Sequence, residues 1–234
     1  MTLDDRGLPV IIPTLNRLAL LDQTLTSLFE NSSHPIYPII IDGGSTPAVR
    51  ANIKELSDQH LIRYYPMKHK TGVGVCRNFG AAIAPIHHPY LYFSDDDIYF
   101  KPHWDTAMLK AYEQHPKLGI LGGLRHPFHG RLETLACSNQ NHEVVVSDQQ
   151  AGFSMLIRRE IWSKVGPFPI TSPTDYGIED TDLCNRTRST GYLVGGLNPP
   201  VLVHCGITRA DGTLTAGHDL IAQEKLKYPN LYFA

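Results

Sequence analysis

The sequence of 234 residues has few cysteines, almost no net charge and no basic block, and each shortage argues against a class of protein. The four cysteines are widely spaced and form no CxxC pair, unlike a disulfide framework or a zinc site. The net charge of −2 comes from interspersed charges, so nothing marks a non-specific nucleic-acid binder. We therefore expect reduced, structural thiols in a cytosol-like compartment.

The sequence also lacks an apolar run long enough to span a bilayer. Its first apolar stretch, LPVIIP at residues 8–13, is short and contains two prolines, so it fits neither a signal peptide nor a membrane span. A chain of this length with 42% hydrophobic residues is expected to form one domain over residues 1–234, in a soluble, cytoplasmic protein.

The first hundred residues alternate between short apolar runs and helical patterns. Buried-type runs at residues 8–13, 37–41, 61–66 and 89–93 predict four strands, and the segments between them predict helices. Alternation at this spacing predicts an α/β fold with a mostly parallel central sheet and helices on its faces. The second half is less regular. It has a predicted helix in 104–116, a strand or turn in 118–124, a strand running into a short helix in 151–166, and a loop leading into a helix in 171–191. Further predicted strands lie in 142–146, 192–196 and 199–206.

Three consecutive aspartates, Asp95, Asp96 and Asp97, follow the fourth predicted strand in FSDDDIYF. Adjacent carboxylates repel one another, so the run is costly unless a cation or hydrogen-bond donors compensate. Ligands of open α/β sheets bind at the carboxyl ends of the strands. Oxygen ligands suit Mg²⁺ or Mn²⁺, which bridge to nucleotide phosphates. The alternative is a solvated acidic loop without a ligand.

A second acidic pair, Glu179 and Asp180, lies where a loop enters a predicted helix, in YGIEDTD. A carboxylate there is held ionised by the helix dipole and is a candidate general base, although capping the helix is an equally good use for it. His204 ends the apolar run VLVH and is a candidate ligand, but a lone histidine at a strand end is more often structural.

Six segments in order give the chain a resemblance to the GT-A glycosyltransferases, most closely to the inverting enzymes of family 2. They are VIIPTLNRLALLDQTLTSL, IIIDGGS, GVGVCRNFGAAIA, YLYFSDDDIYFKPHW, GFSMLIRREIWSKVGPF and GIEDTDLCNRTRSTGY, and they cover most of the chain. The resemblance implies a GT-A fold with a nucleotide-sugar-binding half at about residues 1–100 and an acceptor-binding half at about residues 101–234.

The resemblance also implies a divalent metal, Mn²⁺ or Mg²⁺, and a nucleotide-sugar donor, for which we expect a UDP-sugar. Asp95 and Asp97 match the outer positions of the DxD motif, with Asp97 as metal ligand and Asp95 and Asp96 holding the ribose and the metal's water shell. The GIED segment is similar to the GGED segment of β-galactosyltransferase relatives, and in that comparison His204 stands where a third metal ligand is found.

By the same resemblance, Asp180 is the general base that deprotonates the acceptor hydroxyl. Glu179 either binds the acceptor or competes for the role of base. Five further positions match donor-binding segments, three around the nucleobase and ribose and two in the segment that closes over the base and sugar: Pro13, Thr14 and Asp42, then Arg77 and Asn78.

Departures from the family pattern leave alternatives open. Gly43 replaces the second carboxylate that usually follows the second strand, and the DxD register could instead start at Ser94. A retaining GT-A transferase, a sugar nucleotidyltransferase and an inactive sugar-nucleotide-binding module are the competing functions. The acceptor could be a glycan, a glycolipid, a protein or a modified nucleic-acid base, and the tail after Gly206 could close over it.

Overall fold

A computed structural model describes residues 6–59, 62–124, 131–138, 141–170 and 178–206. The eleven strands in these residues are β1 Leu8–Thr14, β2 Ile36–Asp42, β3 Arg63–Pro66, β4 Tyr90–Ser94, β5 Ile98–Phe100, β6 Leu118–Gly122, β7 Arg131–Ala136, β8 Glu143–Ser147, β9 Ser154–Arg158, β10 Leu193–Asn198 and β11 Leu202–His204. The six helices are α1 Leu18–Asn31, α2 Pro47–Gln59, α3 Val73–Ile83, α4 Trp104–Gln114, α5 Arg159–Val165 and α6 Ile178–Ser189.

Nine of these strands form one sheet, in the order β3-β2-β1-β4-β9-β6-β10-β8-β7. Strands β3, β2, β1 and β4 pair in parallel, as the sequence predicts for the first hundred residues. Strand β9 is antiparallel to both β4 and β6, and β8 is antiparallel to both β10 and β7, so the remaining strands all run in the direction of β1. The mostly parallel sheet is therefore confirmed, with β8 and β9 reversed.

Hydrophobic residues fill both faces of this sheet. In β1, Val10 and Ile12 pack on one face while Ile11 packs on the other, as side chains alternate along a strand. Helices α1, α2 and α4 supply the first cluster, and α3, α5 and α6 supply the second. Because both faces are covered, the central strands read as continuous apolar runs rather than as alternating ones. This explains why β1, β2 and β4 are recognisable in the sequence.

Two short elements place the functional residues. Strand β5, directly after the three aspartates, pairs antiparallel with β11 in a separate two-stranded sheet, which sets His204 opposite Ile98. The backbone N–H of Cys205 donates to the carbonyl of Asp97, at 2.7 Å. The end of the described chain is thereby fixed beside the aspartates. The loop before α6 and the tail after Gly206 lie outside the described residues.

All four cysteines are buried and free, as the widely spaced pattern predicts. Within the described residues, every helix is too short or too polar to cross a bilayer. The longest is α1, with 14 residues.

Candidate active site

A cavity of about 180 Å³ opens at the carboxyl ends of β1 and β4. Pro13 and Thr14 at the end of β1 line one side, and Asp95 and Asp96 after β4 line another. The loop leading into α3 closes the cavity with Gly72 and its neighbours. This is the edge of an open α/β sheet where ligands bind, and four of the residues predicted to bind the donor meet here.

Asp95, Asp97 and His204 converge beside this cavity. One ligand atom of each lies within 4.8 Å of the others, and His204 Nε2 is 3.2 Å from Asp97 Oδ1. The imidazole is held in place by stacking on Phe153, with ring centroids 4.6 Å apart. Two carboxylates and an imidazole from different elements form a donor set that Mn²⁺ or Mg²⁺ can accept.

The surroundings of Asp97 Oδ1 indicate whether these residues fit a cation. Asp97 Oδ1 is buried and, within the described part of the chain, accepts no well-aligned hydrogen bond despite its closeness to His204 Nε2. A buried carboxylate oxygen that lacks a well-aligned donor is incompletely satisfied, which is costly. Its separation from the imidazole nitrogen is close to that of neighbouring ligands around one ion, given metal–ligand distances of about 2.1 Å. The residues present therefore fit a divalent cation.

The ionisation of these groups reflects their burial and their partners. Burial would raise the pKa of Asp97, but His204 and Arg17 outweigh burial and lower it. Burial would likewise lower the pKa of His204, but the Asp97 carboxylate raises it. Burial dominates at Asp96 and raises its pKa to about 7 although Arg17 and Thr14 oppose the shift. The lowered pKa of Asp97 keeps its carboxylate ionised, which is the form that binds a cation.

Arg77 joins the two acidic segments. Its guanidinium donates to Asp95 Oδ1 at 2.6 Å and to Glu179 Oε1 at 3.3 Å, and it lies 5.3 Å from the centre of the Phe168 ring. The side chain is only 2% exposed. A Cβ at Gly152 would lie 2.6 Å from its Nη1, so the chain approaches the guanidinium closely there. Arg77 thus connects Asp95, directly after β4, to Glu179 at the start of α6.

The two candidate bases have different surroundings. Glu179 is buried against Arg77, whereas Asp180 is partly exposed. Asp180 Oδ2 accepts a hydrogen bond from the Gly152 N–H at 2.9 Å, and Oδ1 accepts one from the Thr181 N–H at 2.7 Å. Each oxygen retains a second lone pair for an incoming hydroxyl. The orientation of Asp180 is therefore fixed while it stays accessible.

Sequence comparison decides the family. A model of the family described as "Glycosyl transferase family 2" matches residues 10–166, which is more than half of the chain. The chain belongs to glycosyl transferase family 2. The match includes every site segment from β1 to α5, and α6 and β11 follow it.

Two curated relatives of this family 2 chain are named validoxylamine A glucosyltransferase. The protein from Streptomyces hygroscopicus subsp. limoneus is 34% identical over 109 residues, which cover 45% of this chain and 23% of the relative. The protein from Streptomyces hygroscopicus subsp. jinggangensis (strain 5008) is 33% identical over 109 residues, covering 45% of this chain and 25% of the relative. The matched region is thus about a quarter of each relative.

Solved structures share the fold at low identity. GalNAc-T7 with UDP, GalNAc and Mn²⁺ has a TM-score of 0.70 at 14% identity, covering 85% of this chain and 43% of that one. The mannosyltransferase PcManGT from Pyrobaculum calidifontis, in complex with GDP-Man and Mn²⁺, has a TM-score of 0.65 at 17% identity, covering 87% of this chain and 58% of that one. This likeness confirms the GT-A fold predicted from the sequence.

Within this family 2 fold, three predicted donor-binding residues lie outside the cavity lining. Both oxygens of Asp42 are engaged, by the N–H groups of Gly44 and Ser45 and by the Tyr64 hydroxyl at 2.9 Å. Asn78 exchanges two hydrogen bonds of 2.8 Å with the backbone of Phe168. Arg77 is the third, and its guanidinium donates hydrogen bonds to Asp95 and Glu179. Gly43, at the position where the family usually has a second carboxylate, lines the cavity instead.

Two site residues are missing from the sequence-based prediction. Arg17 contacts Asp97 Oδ2 and lies 2.9 Å from Asp96 Oδ1, and a Cβ at Gly206 would overlap Asp97 Oδ2. In the sequence, the only signal for Arg17 is its position shortly after β1. In the structure, the preceding Asn16 adopts a left-handed conformation with φ of 57° and redirects the chain there. Gly206 carries only a weak signal, its position two residues after His204.

Proposed function

We propose that this family 2 glycosyltransferase transfers a sugar from a nucleoside diphosphate sugar to an acceptor hydroxyl, with inversion at the anomeric carbon. The observation that carries the proposal is the convergence of Asp95, Asp97 and His204 beside a cavity at the carboxyl ends of β1 and β4. The donor is a UDP-sugar, bound by the half of the chain before about residue 101, and the remainder binds the acceptor. The named glucosyltransferases make UDP-glucose the first donor to test.

The chain's own residues define the geometry of the proposed reaction. Asp95, Asp97 and His204 would hold Mn²⁺ or Mg²⁺, which neutralises negative charge on the departing diphosphate. Pro13 and Thr14, which line the side of the cavity at the end of β1, would contact the nucleoside. Asp95 and Asp96, which line another side, would contact the ribose and the metal's water shell.

Asp180 is the proposed general base. Asp180 is partly exposed and oriented by two backbone N–H groups. One of its oxygens can therefore accept the proton of an acceptor hydroxyl while the hydroxyl oxygen attacks the anomeric carbon. Single displacement needs the base on the side of the sugar opposite the leaving diphosphate. Glu179 is the poorer candidate because it is buried against Arg77.

Donor turnover tests the proposal. Purified protein is supplied with a panel of UDP- and GDP-sugars, with and without Mn²⁺, and release of nucleoside diphosphate is followed for wild type, Asp97→Asn, Asp180→Asn and Asp58→Asn. Asp58 is an exposed carboxylate on α2 and serves as the matched control. We expect Mn²⁺-dependent release that is lost in Asp97→Asn, retained in Asp58→Asn, and reduced on the order of a hundredfold or more in Asp180→Asn when acceptor is present.

The product distinguishes the competing mechanisms. Inverted anomeric configuration, read by NMR of the glycoside, supports Asp180 as base in a single displacement. Retained anomeric configuration would contradict the proposed inversion but would still identify a glycosyltransferase. Release of pyrophosphate from a sugar phosphate and a nucleoside triphosphate would instead identify a nucleotidyltransferase.

A further inference from the structure

Arg17 is a cation that lines the cavity beside Asp96 and Asp97. Its Nη1 lies 2.9 Å from Asp96 Oδ1, and its Nη2 contacts Asp97 Oδ2. The two side chains are 4% exposed, so one guanidinium contacts two buried acidic groups. The other oxygen of each carboxyl group has a different partner. Asp96 Oδ2 accepts a hydrogen bond from Thr14 Oγ1 at 2.7 Å, and Asp97 Oδ1 faces His204.

The same side chain is accessible from the cavity. Arg17 is 34% exposed and lines the cavity together with Thr14, Gly72 and Asp95. Its backbone is fixed, because the Arg17 carbonyl accepts the first hydrogen bond of α1, from the Leu21 N–H at 3.0 Å. The long side chain, however, can exchange partners by rotating about its own bonds. A guanidinium also suits phosphate oxygens, which it binds with two parallel hydrogen bonds.

We propose that Arg17 is an exchangeable counter-ion that occupies Asp96 and Asp97 before the donor arrives, opposes binding of a divalent cation there, and turns onto the diphosphate when the donor enters. The inference rests on the proposed function, since it assumes that the cluster of Asp95, Asp97 and His204 holds the metal.

The physical reason is competition between two cations for one carboxylate. A guanidinium on Asp97 Oδ2 repels a divalent ion approaching Oδ1 of the same residue and reduces the negative charge available to it. A diphosphate gives Arg17 an alternative anionic partner, and release of Asp97 then favours the metal. By thermodynamic linkage, nucleotide and metal must each tighten the other's binding by the same factor.

The test is a Mn²⁺ titration, followed by electron paramagnetic resonance of the free ion, with and without UDP. The variants are Arg17→Gln, which removes the charge, Arg17→Lys, which keeps it, and Lys54→Gln, which removes an equal charge from an exposed pair on α2. Without UDP, we expect Arg17→Gln to bind Mn²⁺ about tenfold more tightly than wild type. The factor by which UDP tightens Mn²⁺ binding should shrink correspondingly, while Lys54→Gln matches wild type.

Arg17→Lys should keep Mn²⁺ binding weak without UDP, which separates the charge from the packing of the side chain. Unchanged or weaker Mn²⁺ binding by Arg17→Gln, in a protein that binds Mn²⁺ with UDP, would overturn the inference and leave the proposed function intact. Absence of Mn²⁺ binding in every variant, even with UDP, would overturn the proposed metal site and the inference with it.

Discussion

Replacing Arg77 by methionine should destabilise the fold far more than replacing any exposed cation. Arg77 is 2% exposed and bonds Asp95 and Glu179, of which Glu179 is also buried. Removing one partner of a buried ion pair costs about 3–5 kcal/mol, because the remaining charge stays buried. Asp95 is 31% exposed and regains solvation, which reduces the loss. The guanidinium over Phe168 adds about 0.5–2 kcal/mol. We expect Arg77→Met to lower the free energy of unfolding by about 4 kcal/mol.

Urea denaturation of wild type, Arg77→Met and Lys54→Met measures this difference. Lys54 pairs with Asp58 on an exposed helix face, so Lys54→Met should change the free energy of unfolding by about 0.5 kcal/mol or less. Adding Glu179→Gln to Arg77→Met should recover about 1–3 kcal/mol, because neutralising Glu179 removes the buried charge that lost its guanidinium.

Two results would refute this reasoning. A loss below about 1 kcal/mol in Arg77→Met would mean that Asp95 and Glu179 are well solvated without Arg77. Additive effects of Arg77→Met and Glu179→Gln would mean that the contact at 3.3 Å carries little energy of its own.

Two further predictions concern residues around the site. Gly206→Ala places a Cβ against Asp97 Oδ2 and should weaken Mn²⁺ binding about tenfold or more in the titration described above; unchanged affinity would contradict the close approach. Burial raises the pKa of Cys76 to about 11 and that of Cys184 to about 12, so the thiolate of Cys76 is about one part in a thousand at pH 8. Because a raised pKa moves thiolate formation to higher pH, native labelling by a disulfide reagent should be slow at pH 8, accelerate toward pH 11, and become rapid for all four thiols in urea. Rapid native labelling at pH 8 would contradict this burial.

The elements that are recognisable in the sequence are those buried on both faces of the sheet. Strands β1, β2 and β4 are continuous apolar runs because helices cover both sides of them. Strand β7, RLETLA, has an exposed Leu132 and no clear pattern, and β5 has three residues, so neither is predicted. Strand β5 pairs with β11, far along the chain, which local propensity does not encode, whereas β7 pairs with β8, the next strand.

The site was predictable where a motif carries its own chemistry and not where a contact depends on long-range packing. The three aspartates signal a cation through their own repulsion. His204 is 107 positions from Asp97 in the sequence, and only the resemblance connects the two. Asp42 ends a strand like a ligand-binding carboxylate, yet Tyr64 on the neighbouring strand and the following turn engage it.

The two arginines at the aspartate run differ in burial, and burial separates their roles. A guanidinium that is 2% exposed, as in Arg77, cannot leave its carboxylates without exposing them or remaining buried itself, so its bonds belong to the folded state. A guanidinium that is 34% exposed, as in Arg17, can leave its carboxylates for a phosphate without remaining buried itself, and the cation proposed at Asp97 then compensates that buried carboxylate. Substitution of Arg77 should therefore change mainly the free energy of unfolding, and substitution of Arg17 should change mainly the affinity for Mn²⁺. The reverse pattern would mean that exposure does not govern which of these ion pairs is exchanged.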